Sequence, residues 1–169
     1  NLLTGLNQKI GNFPGVTVDK KTGSFRIGEI KYNVIDLPGT YSLNPNSEDE
    51  RITREFIKNT TENDLIIVVA DVTNLKRNLL LCTQIIDEGK QVILGLNMMD
   101  LLFKNKQEIN LEVLSNEIGC PIVPINARLG KGINKLKTAI TEYRYSKNIF
   151  LNKETNNEID DSLERFKKI

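Results

Sequence analysis

Two runs in this chain, DLIIVVAD (64–71) and QVILGLN (91–97), are apolar at nearly every position. Alternation would signal a strand with one wet face. Unbroken runs of this length predict strands buried on both faces, as in parallel sheets. Between them, NLKRNLLLCTQIIDEG (74–89) sets Leu75, Leu79, Cys82, Ile85 and Ile86 at helical spacing, with Gly89 as the stop signal. The alternation continues downstream. LEVLSNEIGC (111–120) predicts a helix ending at Gly119, PIVPIN (121–126) a short strand, and Gly132 to about Tyr145 a helix with Ile133, Leu136 and Ile140 on one face. Upstream, SFRIGEIKYNVID (24–36) reads as two strands about a Gly28-Glu29 turn. Ser47 followed three residues later by Glu50 has capping-box spacing and opens a helix to about Lys58. The first seven residues read as the tail of a helix closing at Gly5. The stretch 8–23, punctuated by Gly11, Pro14, Gly15 and Gly23, reads as loop.

Strand–helix alternation of this kind predicts an α/β fold, a doubly wound and mostly parallel sheet with helices on both faces. Ligands of such sheets sit at the carboxyl ends of the strands. Asp36, Asp71, Asn97 and Asn126 all fall there. No internal repeat is visible. From Phe150 the chain turns polar, which reads as a linker followed by the start of another helix.

Composition narrows the chemistry. Lys plus Arg number 23 against 22 acidic residues, a net charge of +1, so no basic footprint for nucleic acid is present. The chain has no histidine and two cysteines, Cys82 and Cys120, 38 positions apart. That inventory excludes Ser-His-Asp chemistry and the usual four-ligand zinc site. Both cysteines lie in apolar contexts and are expected as buried thiols in a reducing compartment. No apolar run approaches the roughly 18 residues that span a bilayer, so the chain as given is expected to be soluble.

Four segments carry candidate chemistry. Asp36-Leu37-Pro38-Gly39 follows a strand; an Asp there can hold Mg²⁺ and a Gly39 amide can approach a terminal phosphate. Taken alone the segment is also an ordinary Asp-Pro-Gly turn. Asn97-Met98-Met99-Asp100 ends a buried strand. A carboxylate accepts two hydrogen bonds, and guanine offers two adjacent donors that adenine lacks, so Asp100 would select guanine. Taken alone, Asp100 equally well caps the next helix. Asn126-Ala127-Arg128 ends the last strand, where the Ala127 amide can donate to the guanine carbonyl. Thr17, in NFPGVTV, offers a hydroxyl to Mg²⁺. By itself it is a surface threonine. In this order and in these strand contexts, the four together match a GTPase. Arg51, Arg54, Arg77 and Arg128 are candidate charge donors, each with an ordinary reading as a solvated helix-face arginine.

LTGLNQKIGNFPGVTVDKKTG, DLPGTYSL, ADVTNLKRNL and LGLNMMD resemble the cytoplasmic G domain of FeoB ferrous-iron transporters, over about residues 2 to 140. Era-like ribosome and tRNA GTPases share the motif order but usually show Thr-Arg-Asp where this chain has Thr17-Val18-Asp19, and they are the alternative reading. The FeoB resemblance implies a P-loop NTPase-like G domain over 1–148, with a linker and the start of a helical dissociation-inhibitor domain over 149–169. It implies GTP and GDP with Mg²⁺ as ligands, held by Asp36, Gly39, Asn97, Met98, Asp100, Asn126, Ala127 and Arg128. Thr17 and Asp36 would serve the metal, and Gly39 and Thr40 the hydrolytic step. It extends to K⁺ in the intact family domain. The implied partners are guanine nucleotide and the protein's own helical and transmembrane domains, with room for a homo-oligomer and none for nucleic acid. The implied place is the cytoplasmic side of an inner membrane, where GTP would regulate Fe²⁺ uptake without iron being bound here.

The chain departs from that pattern in four ways. GxxxxGK(S/T) is nowhere in its 169 residues, so the first strand and phosphate loop are expected to be missing and this polypeptide to bind GTP weakly. Thr40 follows Gly39 where Ras-like enzymes carry a water-orienting Gln, which predicts slow hydrolysis. Met98 replaces the Lys of NKxD. Asn126 replaces a common Ser and, the contact there being through the Ala127 backbone, is expected to matter little.

Overall fold

The structure is a computed structural model that describes residues 2–5, 8–13, 19–104 and 108–145. Its strands form two three-stranded sheets. One is parallel, β4 (Ile66–Asp71), β5 (Val92–Asn97) and β6 (Ile122–Pro124), with β5 in the centre. The other is an antiparallel meander, β1 (Gln8–Asn12), β2 (Asp19–Ile27) and β3 (Ile30–Asp36). The expectation of one mostly parallel sheet therefore holds for the second half of the chain. In the first half the strands run antiparallel, since a two-residue Gly28-Glu29 turn can only return the chain alongside itself.

Two readings near the start are corrected. Residues 2–5 form a turn rather than the end of a helix. Much of 8–23 is strand, with Gln8 opposite Gly23 and Asn12 opposite Asp19. Glycines and a proline suggested loop there, but cross-strand pairing with β2 outweighs the weak local preference.

The helices follow the hydrophobic pattern. They are α1 (Glu48–Lys58), α2 (Leu75–Asp87), the short α3 (Met99–Lys104), α4 (Leu111–Ile118) and α5 (Ile133–Tyr145). Ser47 caps α1 by accepting the Glu50 N–H. The return leg differs from the expected box: Glu50 Oε2 accepts the Asn46 N–H at 2.7 Å. Asn110 caps α4, which ends at Gly119 in a left-handed conformation. Lys90 ties the end of α1 to the turn before β5, donating to the carbonyls of Lys58 and Thr60 at 2.9 and 2.8 Å.

Period-two alternation in β5 divides the core. Val92, Leu94 and Leu96 face α2 and α4, together with Val68, Ala70, Leu79, Ile85 and Leu114. Ile93 faces the other way, with Val123, Ile125, Leu136 and Ile140, and there Phe25, Ile27 and Tyr32 of the meander pack against it. Both cysteines are buried free thiols as expected, their Sγ atoms 3.9 Å apart.

The hydrogen bond shared with Cys120, followed by burial, holds the Cys82 thiol protonated far above its ordinary value of 9.0. The folded chain keeps this proton where the unfolded chain gives it up. The stability it confers is thus complete below that ordinary value and is lost as pH rises beyond it. Urea midpoints are expected to fall above about pH 9, with a slope of up to about 1.4 kcal/mol per pH unit from this thiol. Cys82→Ala should flatten that slope; an unchanged slope would place its source elsewhere.

Candidate functional site

Parallel register puts Asp71 beside Asn97 at the carboxyl edge of the sheet, with Ile125 N–H donating to Leu96 O just beyond β6. The chain leaves β5 at Asn97 and turns sharply into α3. Met98 makes that turn with φ 64°, a left-handed conformation for a side-chain-bearing residue and one that costs about 1–2 kcal/mol. Strain of this kind collects where a backbone is held for function. The turn places Asp100 in the first turn of α3, exposed.

From the neighbouring strand end, residues 126–131 form a tight loop. Asn126 and Lys131 exchange backbone hydrogen bonds at 2.9 and 3.1 Å. Gly132 then leads into α5. The two strand ends meet through two hydrogen bonds. The Asn126 side-chain amide donates to Asp100 Oδ1 at 3.0 Å, and the Ala127 N–H donates to Asn97 Oδ1 at 3.0 Å. Asn126 Oδ1 in turn accepts the Leu129 N–H at 3.0 Å, which fixes the amide so that its donor end faces Asp100. Asn97, Asp100, Asn126 and Ala127 are thus one cluster, with Met98 exposed beside them. Arg128 is exposed next to it. Asn126, expected to matter little because the contact there runs through the Ala127 backbone, also meets the Asp100 carboxylate with its own side chain.

Asp71 shares the sheet edge but serves its own turn, its Oδ1 accepting both the N–H and the hydroxyl of Thr73 at 2.8 Å. Asp36 ends β3, exposed, and its carboxylate has no hydrogen bond or ion pair among the described residues. The Pro38 carbonyl accepts the buried Thr53 hydroxyl of α1 at 2.9 Å. Gly39 is exposed, with nothing within 4 Å of where a Cβ would stand. The Thr40 hydroxyl turns into its own loop, donating to Ser42 O at 2.7 Å, with Glu50 Oε1 at 3.4 Å. Thr17 lies outside the described residues. No hydrogen bond or ion pair among the described residues joins the Asp36–Gly39 segment to the Asp100 cluster.

Of the candidate charge donors, Arg51 is paired with Glu48 and Glu55. The Arg77 guanidinium carbon stacks 3.5 Å above the centre of the Tyr41 ring. Arg54 has a buried Nε without a hydrogen-bond partner among the described residues. No pattern in the sequence pointed to Gln84, whose Oε1 accepts the Leu43 N–H at 2.7 Å from 41 positions away.

Residues 1–140 match the family model described as "Ferrous iron transport protein B". The chain belongs to the FeoB family. An Fe(2+) transporter FeoB of Leptospira biflexa is 42% identical over 153 residues, covering 89% of this chain and 22% of the relative. The chain spans about a fifth of the length of the curated FeoB relatives it matches. The crystal structure of the G domain of the T. maritima FeoB iron transporter superposes with a TM-score of 0.76 at 40% identity, covering 85% of this chain and 87% of that one. The cytosolic domain of the same transporter, in its GMPPNP form, gives 0.82 at 36% identity, covering 99% and 68%. This FeoB chain thus has the P-loop NTPase fold of the family's G domains. Among its described residues no helix is long and apolar enough to cross a membrane, and no group of three or more His, Cys, Asp and Glu side chains is placed to hold a metal ion.

Proposed function

We propose that this chain is the guanine-nucleotide-binding part of a ferrous-iron transporter, and that GTP binding and slow hydrolysis in the natural polypeptide control Fe²⁺ uptake across an inner membrane. The observation that carries the reading is the convergence of Asn97, Asp100, Asn126 and Ala127 at two adjacent strand ends. Guanine's ring N–H and exocyclic amine are donors for the Asp100 carboxylate, and its carbonyl is an acceptor for the Ala127 N–H, which would turn to it from Asn97 Oδ1. Adenine presents neither pattern and would leave these groups unpaired. Met98 would lie beside the base. The GMPPNP form of a relative at 36% identity supports a guanine nucleotide as the ligand.

The phosphates would extend toward Asp36 and Gly39. Asp36 suits Mg²⁺, a hard cation that takes oxygen ligands, because its carboxylate is exposed and makes no hydrogen bond or ion pair among the described residues. The open space at Gly39 suits a backbone amide meeting a phosphate oxygen. When bound, Mg²⁺ would neutralise charge on the phosphates. Gly39 would orient the terminal group, and Thr40 would shape the loop behind it. Thr17 is the further candidate ligand. The boundary at 149, the helical and membrane partners and a homo-oligomer belong to the same proposal.

Calorimetric titration of the natural polypeptide carrying these residues tests it. GDP is expected to bind at least about a hundredfold more tightly than ADP, two hydrogen bonds to a charged acceptor being at stake. Equal affinities would remove the guanine reading.

A further inference from the structure

We propose that Arg77 and Gln84 of α2 are positioning residues for the phosphate-facing loop, clamping Tyr41 and Leu43 so that the Gly39 amide is pre-placed for a terminal phosphate. The inference rests on the reading of Asp36–Gly39 given above and adds a helix to it. Arg77 and Gln84 are seven positions apart, two helical turns, and so lie on one stripe of α2 about 10 Å long. Each end of that stripe grips the same short segment. Arg77 covers the Tyr41 ring at 3.5 Å, and Gln84 takes the Leu43 N–H at 2.7 Å. The Leu43 side chain is itself buried in the main core, so the grip is made on a residue that already has an anchor.

The geometry of the loop makes that grip consequential. Gly39 precedes Tyr41 by two residues and Leu43 by four. Gly39 is exposed, with nothing within 4 Å of where a Cβ would stand, so the backbone on either side must set where it stands. On one side Thr53 fixes Pro38; on the other, α2 fixes 41 to 43. A loop ordered in advance gives affinity by removing the cost of ordering it upon binding. On that reading Gly39 serves the terminal phosphate alone, so a diphosphate gains nothing from the clamp.

The test uses the natural polypeptide and the pair of changes Arg77→Ala with Gln84→Ala. Hydrogen exchange at the Leu43 amide is expected to speed up about tenfold, the loss of one neutral hydrogen bond. Calorimetry should show GTP affinity falling about tenfold while GDP affinity is unchanged. Gln84→Glu, which keeps an acceptor, and Tyr41→Phe, which keeps the ring, should both behave like the unaltered protein. Unchanged exchange at Leu43 would overturn the clamp. Equal losses for GTP and GDP, or no loss for either, would overturn its link to the terminal phosphate. Failure of the underlying site reading would show separately, as an unaltered protein that does not distinguish GDP from ADP.

Discussion

Asp100→Asn is expected to weaken guanosine nucleotides by about a hundredfold and to improve xanthosine nucleotides over guanosine ones. The carboxylate accepts from two guanine donors, and each charge-assisted hydrogen bond contributes about 1.5–3 kcal/mol net. Losing about 3 kcal/mol corresponds to about two orders of magnitude. An Asn at this place keeps one acceptor and turns one donor toward the base. Against guanine the new donor meets the exocyclic amine, donor against donor. Xanthine carries a carbonyl there and restores the pair. Asn126, whose side chain donates to Asp100 Oδ1, still finds an oxygen on the substituted residue. Competition calorimetry with GDP and XDP measures the reversal. A uniform loss of both nucleotides would mean that Asp100 supports the loop without reading the base.

Gly132→Ala is expected to destabilise the fold by about 3 kcal/mol or more, the largest effect of adding a methyl group to any glycine among the described residues. Gly132 has φ +83°, a conformation that costs an alanine about 1 kcal/mol by itself. The added Cβ would also run into the Pro124 carbonyl oxygen and lie 3.0 Å from Ile125 Cα. Those are backbone atoms of β6 and its extension, which cannot step aside without pulling Asn126 and Ala127 out of place. Gly119→Ala is the matched control. Its φ is +79°, but nothing lies within 4 Å of the new Cβ, so only the conformational cost of about 1 kcal/mol applies. Urea unfolding of the two variants separates the terms. Equal, small losses would show that the loop after β6 yields freely, and the rigid placement of Ala127 would no longer follow.

The parallel strands and their helices were legible because continuous apolar runs and helical spacing are strong signals. Ile93 and Leu94 had to be buried on opposite faces whatever lay around them. The strands around 8–23 were not legible. Lys9, Gly11 and Lys20 give no alternation, and their pairing is decided by the hairpin that follows. Within the site, Asp100 and Ala127 could be named from their place after buried strands. The amide of Asn126 could not be placed on Asp100, because that contact depends on the Asn126–Lys131 loop and on the Leu129 N–H that orients the amide. Gln84 was invisible for the same reason: a glutamine on a helix carries no sign of which backbone N–H it will meet 41 positions away.

The central claim is that the Asp100 cluster reads guanine, and amide chemical shifts report on it atom by atom. A nitrogen-15 labelled sample of this chain, titrated to millimolar GDP and separately to ADP, would follow the Ala127 backbone N–H and the Asn126 side-chain amide. Both signals should move with GDP and stay in place with ADP, since only guanine gives Ala127 a carbonyl to meet and Asp100 two donors to share with Asn126. Equal movement with both nucleotides, or movement elsewhere while these two stay fixed, would contradict the claim.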